Sequence, residues 1–186
     1  MALFGRWRAA RMLQRNAAKF VTQLASEPAA DEVTWLARTA TRGDEDHARW
    51  ELRYARRAVA LLVAQRDALD DRTGSAVAQA IADSFERDER IDADRRDLAE
   101  RQFNARLSAY HDALGARVPD ATVRLGQTLI AFAGGSFRDK DATVRRAGEI
   151  LEGYVKEANE ALRTVFGAAS LPEHVPPSAL AGQGPG

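Results

Sequence analysis

The chain has 186 residues, 45% of them hydrophobic and 29% charged, with 27 basic and 27 acidic side chains that leave a formal net charge of zero. Such a composition suits one globular domain of about 100–200 residues with a sizeable core, and it supplies no global field toward nucleic acid or an anionic membrane. The absence of cysteine excludes disulfides, thiolate nucleophiles and cysteine-ligated metals, and every apolar run is far shorter than the ~18 residues of a bilayer span.

Residues 1–25 predict a basic amphipathic helix. Leu3, Trp7, Ala10, Leu13, Ala17, Val21 and Leu24 fall on one side at helical spacing, and Arg8, Arg11, Arg15 and Lys19 form a stripe on another, with Arg6 nearby. No acidic residue precedes Glu27. Three roles fit this pattern: a first bundle helix with a solvated basic face, a membrane-surface helix that inserts Phe4 and Trp7, or an organellar targeting segment. The segment lacks the apolar h-region of a secretory signal, and the chain reads as cytoplasmic.

Residues 26–167 predict an all-α bundle of about six or seven helices, elongated in outline. Ser26 is the expected cap of a short helix that carries Pro28 in its first turn, buries Val33, Leu36 and Ala40, has Trp35 alongside and ends near Arg42. Asp44 to Asp71 is the expected central helix. Asp44 offers a cap and an acidic first turn, and Ala58 to Ala64 is apolar all the way round, so other helices must cover every side of it. The stretch Arg72-Thr73-Gly74-Ser75 predicts a stop and a new start.

Val77, Ile81 and Phe85 then continue a helical stripe, followed by the charged run Glu86 to Arg101 with seven acidic and five basic residues. It reads as a solvated face with a break between Asp88 and Asp94, since one helix over residues 76–114 would extend about 58 Å. Beyond the break, Phe103, Leu107, Tyr110 and Leu114 restore the stripe. A helix from Pro119-Asp120 is expected to bury Leu125, Leu129, Phe132 and Ala133 and to stop at Gly134-Gly135. The last helix, opened by Asp139 or Asp141, carries Val144 through Val165 and is a natural mate for the central one; Gly148 beside its stripe would let a neighbouring backbone come close. Residues 168–186 are rich in Pro and Gly and read as a disordered tail.

No catalytic constellation emerges, and no cofactor is implied. Nucleophile elbows, phosphate loops and dinucleotide fingerprints are absent from the sequence. Asp44, His47 and Glu51, at i, i+3 and i+7, form the one trio with metal-ligand chemistry, although the second Glu/His pair of a di-metal bundle is missing. Arg49, Arg53, Arg56 and Arg57 lie within about 100° on the helical wheel and could offer an anion or partner surface, but with a net charge of zero the favoured expectation is that acidic residues of neighbouring helices, such as those near Asp92, pair with them. The favoured expectation is a non-enzymatic bundle acting as an adaptor, regulatory or assembly factor through contacts with another protein or with itself, with peripheral membrane contact open through Phe4, Trp7, Arg8, Arg11, Arg15 and Lys19. Nucleic acid is disfavoured by the charge balance. The alternative is a small-ligand- or metal-binding bundle, an enzyme in its strongest form, whose site would be a cavity between helices near His47, Glu51, Tyr54 and Tyr110.

Overall fold

The computed structural model describes residues 2–68, 71–115, 121–136 and 142–167, the first four of them as backbone. Seven α-helices account for nearly all of these: α1 (Ala2–Leu24), α2 (Ala30–Thr39), α3 (Glu45–Asp67), α4 (Asp71–Glu86), α5 (Arg96–Gly115), α6 (Ala121–Phe132) and α7 (Ala142–Phe166), with one 3-10 turn at Ala93–Arg95 before α5. No strand occurs among the described residues, and none of these helices is long and apolar enough to cross a membrane. The Pro/Gly-rich tail from Ala168 and the proposed caps Asp139 and Asp141 lie outside the described residues.

α3 is the axis of the bundle. It touches each of the other six helices, and every residue from Ala58 to Ala64 is buried. A helix with no polar side is stable only when covered on all sides, since each fully buried Val or Leu contributes about 1.5–3 kcal/mol that exposure would forfeit. Its start follows from the local sequence. Asp44 takes the N-cap position and its carboxylate accepts the His47 backbone N–H at 2.9 Å, while Glu45 and Asp46 oppose the positive end of the helix dipole. Just before it, Arg42 and Gly43 adopt φ of 57° and 90°, and the Gly43 N–H reaches back to the Ala37 carbonyl to close α2.

Two expected starts are displaced. α2 begins at Ala30 and not at Ser26, with Ala29 at the N-cap position making no side-chain cap bond; the stretch around Pro28 stays extended because proline disfavours helical geometry in the residue before it. α4 begins at Asp71, so Arg72 to Ser75 lie inside a helix instead of ending one. Thr73 and Gly74 are buried there, and a methyl at Gly74 would stand 3.4 Å from Gln65 of α3. Packing of α4 on α3 and α1 outweighs the roughly 1 kcal/mol that glycine costs a helix interior.

The break in the charged run is present, as residues 87–92 turn between α4 and the 3-10 turn. Asp92 occupies the N-cap position of that turn without a side-chain cap bond. On α5 the buried stripe is Ala99, Phe103, Arg106, Tyr110 and Ala113, with Leu107 and Leu114 only half-buried; an arginine takes a place that periodicity assigned to leucine. Gly134, at φ 78°, ends α6, with the Gly135 N–H bonded to the Ile130 carbonyl at 3.0 Å. α7 lies along both α3 and α6, and the Tyr154 hydroxyl donates to Glu32 at 2.6 Å to tie it to α2.

Candidate functional site

The polar interior of the bundle grows from one face of α3. Glu51 is 2% exposed and both its oxygens accept from Arg106 of α5, Nε to Oε2 at 2.7 Å and Nη2 to Oε1. Arg106 also donates through Nη1 to the Gln102 carbonyl at 2.9 Å, and its guanidinium lies 4.8 Å from the Tyr54 ring centre and 4.6 Å from that of Phe132. A planar cation fits here because it can bond a carboxylate in its plane and stack on aromatic rings above and below. Two oppositely charged groups thus leave water together, each supplying what the other lost.

This geometry decides what Asp44, His47 and Glu51 can do. Asp44 is occupied by the helix cap. His47 Nε2 approaches Glu51 at 3.3 Å, but that carboxylate is already engaged by Arg106. Among the described residues no group of three or more His, Asp or Glu is placed to hold a metal ion. Beside His47 an open cleft of about 370 Å³ runs between α3 and the start of α5, lined by His47, Trp50, Tyr54, Arg95, Leu98 and Gln102. Tyr110 is not among the residues of that cleft; it is fully buried near Phe132, and its hydroxyl has no partner among the described residues. Burial pushes the Tyr110 hydroxyl pKa far upward, with Glu51 adding to the effect. Tyr54, whose hydroxyl donates to Gln102 at 3.2 Å, is raised by burial as well.

The arginine stripe of α3 is paired along its length. Arg49 meets Asp46 at 2.7 Å on its own helix, Arg53 meets Glu27 at 2.6 Å, Arg56 meets Glu157 of α7, and Arg57 meets Asp88 at 3.2 Å. Arg57 is 5% exposed. Its guanidinium lies over Phe85 at 4.5 Å, and burial lowers its pKa against the pull of Asp88. Arg90 completes a ladder by bonding both Asp88 and Glu27. Burial alone would raise the Asp88 pKa, yet the side-chain and backbone hydrogen bonds of Arg90, with its charge and the Arg57 bond, hold it at about 2. Glu27 is lowered in the same way: burial opposes, while Arg53 and Arg90 prevail. The chain Arg57, Asp88, Arg90, Glu27 and Arg53 therefore clasps the α4–α5 turn and the α1–α2 loop onto α3. An anion seeking this stripe would have to displace carboxylates that are already in place.

Glu27, Asp88, Arg90 and Arg106 are the members that sequence reasoning did not single out. Asp88 lies in a run that looks wholly solvated, but Phe85 and Ile91 on either side are both buried, and that bracketing was its one readable signal. Arg106 had none.

α1 divides into two halves. Ala17, Phe20, Val21 and Leu24 are buried against α4 and α7, with the Phe20 ring edge-on to Phe166 at 6.1 Å. From Arg6 to Met12 every side chain is exposed, including Trp7 at 55% and Met12 at 64%, and Leu13 is half-covered. Arg6, Arg8, Arg11, Arg15 and Lys19 make no ion pair with any described carboxylate; Arg11 instead lies 4.1 Å over the Trp7 ring. Trp7 and Met12 are two of the three large apolar side chains left exposed among the described residues, the third being Leu98 of the cleft. Phe4 belongs to the residues whose side chains are not described. No protein-family model, curated protein or solved structure matches the chain.

Proposed function

We propose that this protein is a non-enzymatic helical bundle that works through its surface as an attachment or assembly factor, and that the uncovered half of α1 is the surface it uses. One observation carries the reading. The same helix that seats Phe20 and Leu24 in the core continues toward its N-terminus with its apolar side uncovered and five cations lacking carboxylate partners. The basic stripe of α3, by contrast, is met by carboxylates of its own helix, of α7 and of the loops on either side. An uncovered amphipathic segment that carries exposed apolar side chains and an acid-free basic stripe is the place where a partner gains most.

The test is photo-crosslinking in cells from a photoreactive residue in place of Ala10, exposed on the apolar side of α1, with Glu149 on α7 as the control position. Reproducible adducts, protein or lipid, are expected at position 10 and not at 149. No adduct at position 10, or equal labelling at both positions, overturns the reading.

A second reading, a small-ligand site, has the cleft beside His47 in its favour, since about 370 Å³ falls within the range of ligand pockets. It is the weaker one because Glu51, Tyr54 and Arg106, which border that cleft, already satisfy each other and Gln102. Ligand-observed NMR with a fragment library addresses it. Hits lost in Leu98→Arg, a change at the exposed wall of the cleft, would support it, and hits that survive that change would not.

A further inference from the structure

We infer that the occupant of the uncovered half of α1 is the surface of an anionic phospholipid bilayer, along which the segment lies parallel with its apolar side inward. The inference rests on the attachment reading above and names its partner class. Between Met1 and Ser26 there are five cations and no anion, on a chain whose net charge is zero, so the attraction is confined to this segment and directed at negative charge. Around the helix, at about 100° per residue, Leu3, Trp7, Ala10 and Leu13 occupy an arc of roughly 120° that continues the core side of Ala17, Val21 and Leu24, with Arg6 and Gln14 set within it. Arg8, Arg11, Arg15 and Lys19 occupy a separate arc of roughly 80°. This is the distribution of an interfacial helix, in which long cationic side chains reach headgroups while the apolar side enters the acyl boundary.

The choice among occupants follows from size and charge. A second copy docking through its own α1 would bring another five cations against the first five and no acid to meet them. A protein groove selects helices by a row of large apolar anchors at i, i+3 or i+4, and i+7. Here the described positions of that row are Trp7, Ala10 and Leu13, with a single methyl in the middle. A lipid surface asks only for an amphipathic ring at the interface and a few apolar side chains beside it, which Trp7, Ala10 and Leu13 supply, while a long cation within that edge such as Arg6 reaches up to the headgroups. Residues 2–15 span about 21 Å as a helix, short of the ~30 Å hydrocarbon core, so the segment lies on the bilayer and does not cross it.

Full-length protein is sedimented with vesicles of pure phosphatidylcholine and with vesicles containing about 30% phosphatidylglycerol, at low salt and at about 0.5 M NaCl. Wild type is expected to pellet with the anionic vesicles alone and to be released by salt. The triple variant Arg8→Glu, Arg11→Glu, Arg15→Glu is expected to stay in the supernatant with an unchanged melting curve, and each single neutralisation to Gln to weaken partitioning about fivefold. Trp7→Ala is expected to weaken it without removing the salt dependence. Absence of wild-type binding to anionic vesicles, equal binding to neutral ones, or wild-type pelleting by the triple variant would each overturn the lipid assignment. If vesicles fail while crosslinks from position 10 capture protein, the occupant is a protein and the attachment reading stands. If both fail, both readings fall together.

Discussion

At the scale of single residues, the Glu51–Arg106 pair is a bidentate ion pair shut away from water between α3 and α5. Removing one partner of a buried, bidentate pair leaves the other charge without compensation, at a cost of about 3 kcal/mol or more. Glu51→Gln should therefore lower urea-measured stability by about that amount, whereas Glu51→Leu with Arg106→Met should recover most of the loss, because replacing both charges removes the desolvation cost as well. Asp88 makes a prediction in pH. Its folded pKa of about 2 is below the ordinary 3.8, so its contribution is complete above about pH 5 and lost as the pH falls through 2. The shift corresponds to about 2 kcal/mol, and the stability advantage of wild type over Asp88→Asn should narrow by that much between about pH 6 and pH 2 in denaturant titrations. Asp44 is the contrasting case. Its role as helix cap needs only its neighbours in sequence, and the residue alone announces it.

Among the helices, the contact of α6 with α7 is set by two glycines. A methyl at Gly126 would overlap the Val144 carbonyl, and one at Gly148 would come within 2.5 Å of the Thr122 carbonyl oxygen. Backbone meets backbone here, which a flexible side chain cannot relieve. Gly126→Ala should consequently destabilise by about 2 kcal/mol, despite the roughly 1 kcal/mol that alanine gains in helix propensity. Gly153→Ala, on the same α7 with nothing within 4 Å of the added methyl, should stabilise by about 0.5–1 kcal/mol. Thermal or chemical denaturation of the two variants should move in opposite directions; a shared sign would show that propensity, and not the helix crossing, governs both. Gly148 was recognisable in sequence from its place beside the stripe of α7. Gly126 was hidden, because its importance depends on which helix crosses it.

For the molecule as a whole, α1 belongs to the core and to the outside at once. Deleting residues 1–14 removes, among the described side chains, only exposed or half-exposed ones from Arg6 to Gln14, and should leave the melting temperature within about 2 °C of wild type. Deleting residues 1–25 removes Ala17, Phe20, Val21 and Leu24, all buried against α4 and α7. With losses of about 1.5–3 kcal/mol for each large side chain against a total stability of 5–15, cooperative unfolding should disappear. Circular dichroism melts of the two truncations would distinguish an appended basic helix from one shared by the core.

The sequence by itself determined the helical class, the central place of Ala58 to Ala64, the cap at Asp44, the break after Asp88 and the stops at Gly43 and Gly134. Each of these follows from side-chain periodicity or from backbone preferences acting over a few residues, which are physical causes contained in a short stretch of chain. Tertiary structure alone decided the fate of the charges. Arg57 and Asp88 are 31 positions apart, Glu51 and Arg106 are 55 apart, and nothing in either local pattern says that they share a dry interior. Burial of an ion is favourable only when its partner arrives from another helix, so the same residues that read as a solvated face or an open stripe become the clasps of the core. The basic half of α1 is the converse: its pattern was visible from the start, but only the folded bundle decided that Phe20 and Leu24 would be covered and Trp7 left exposed.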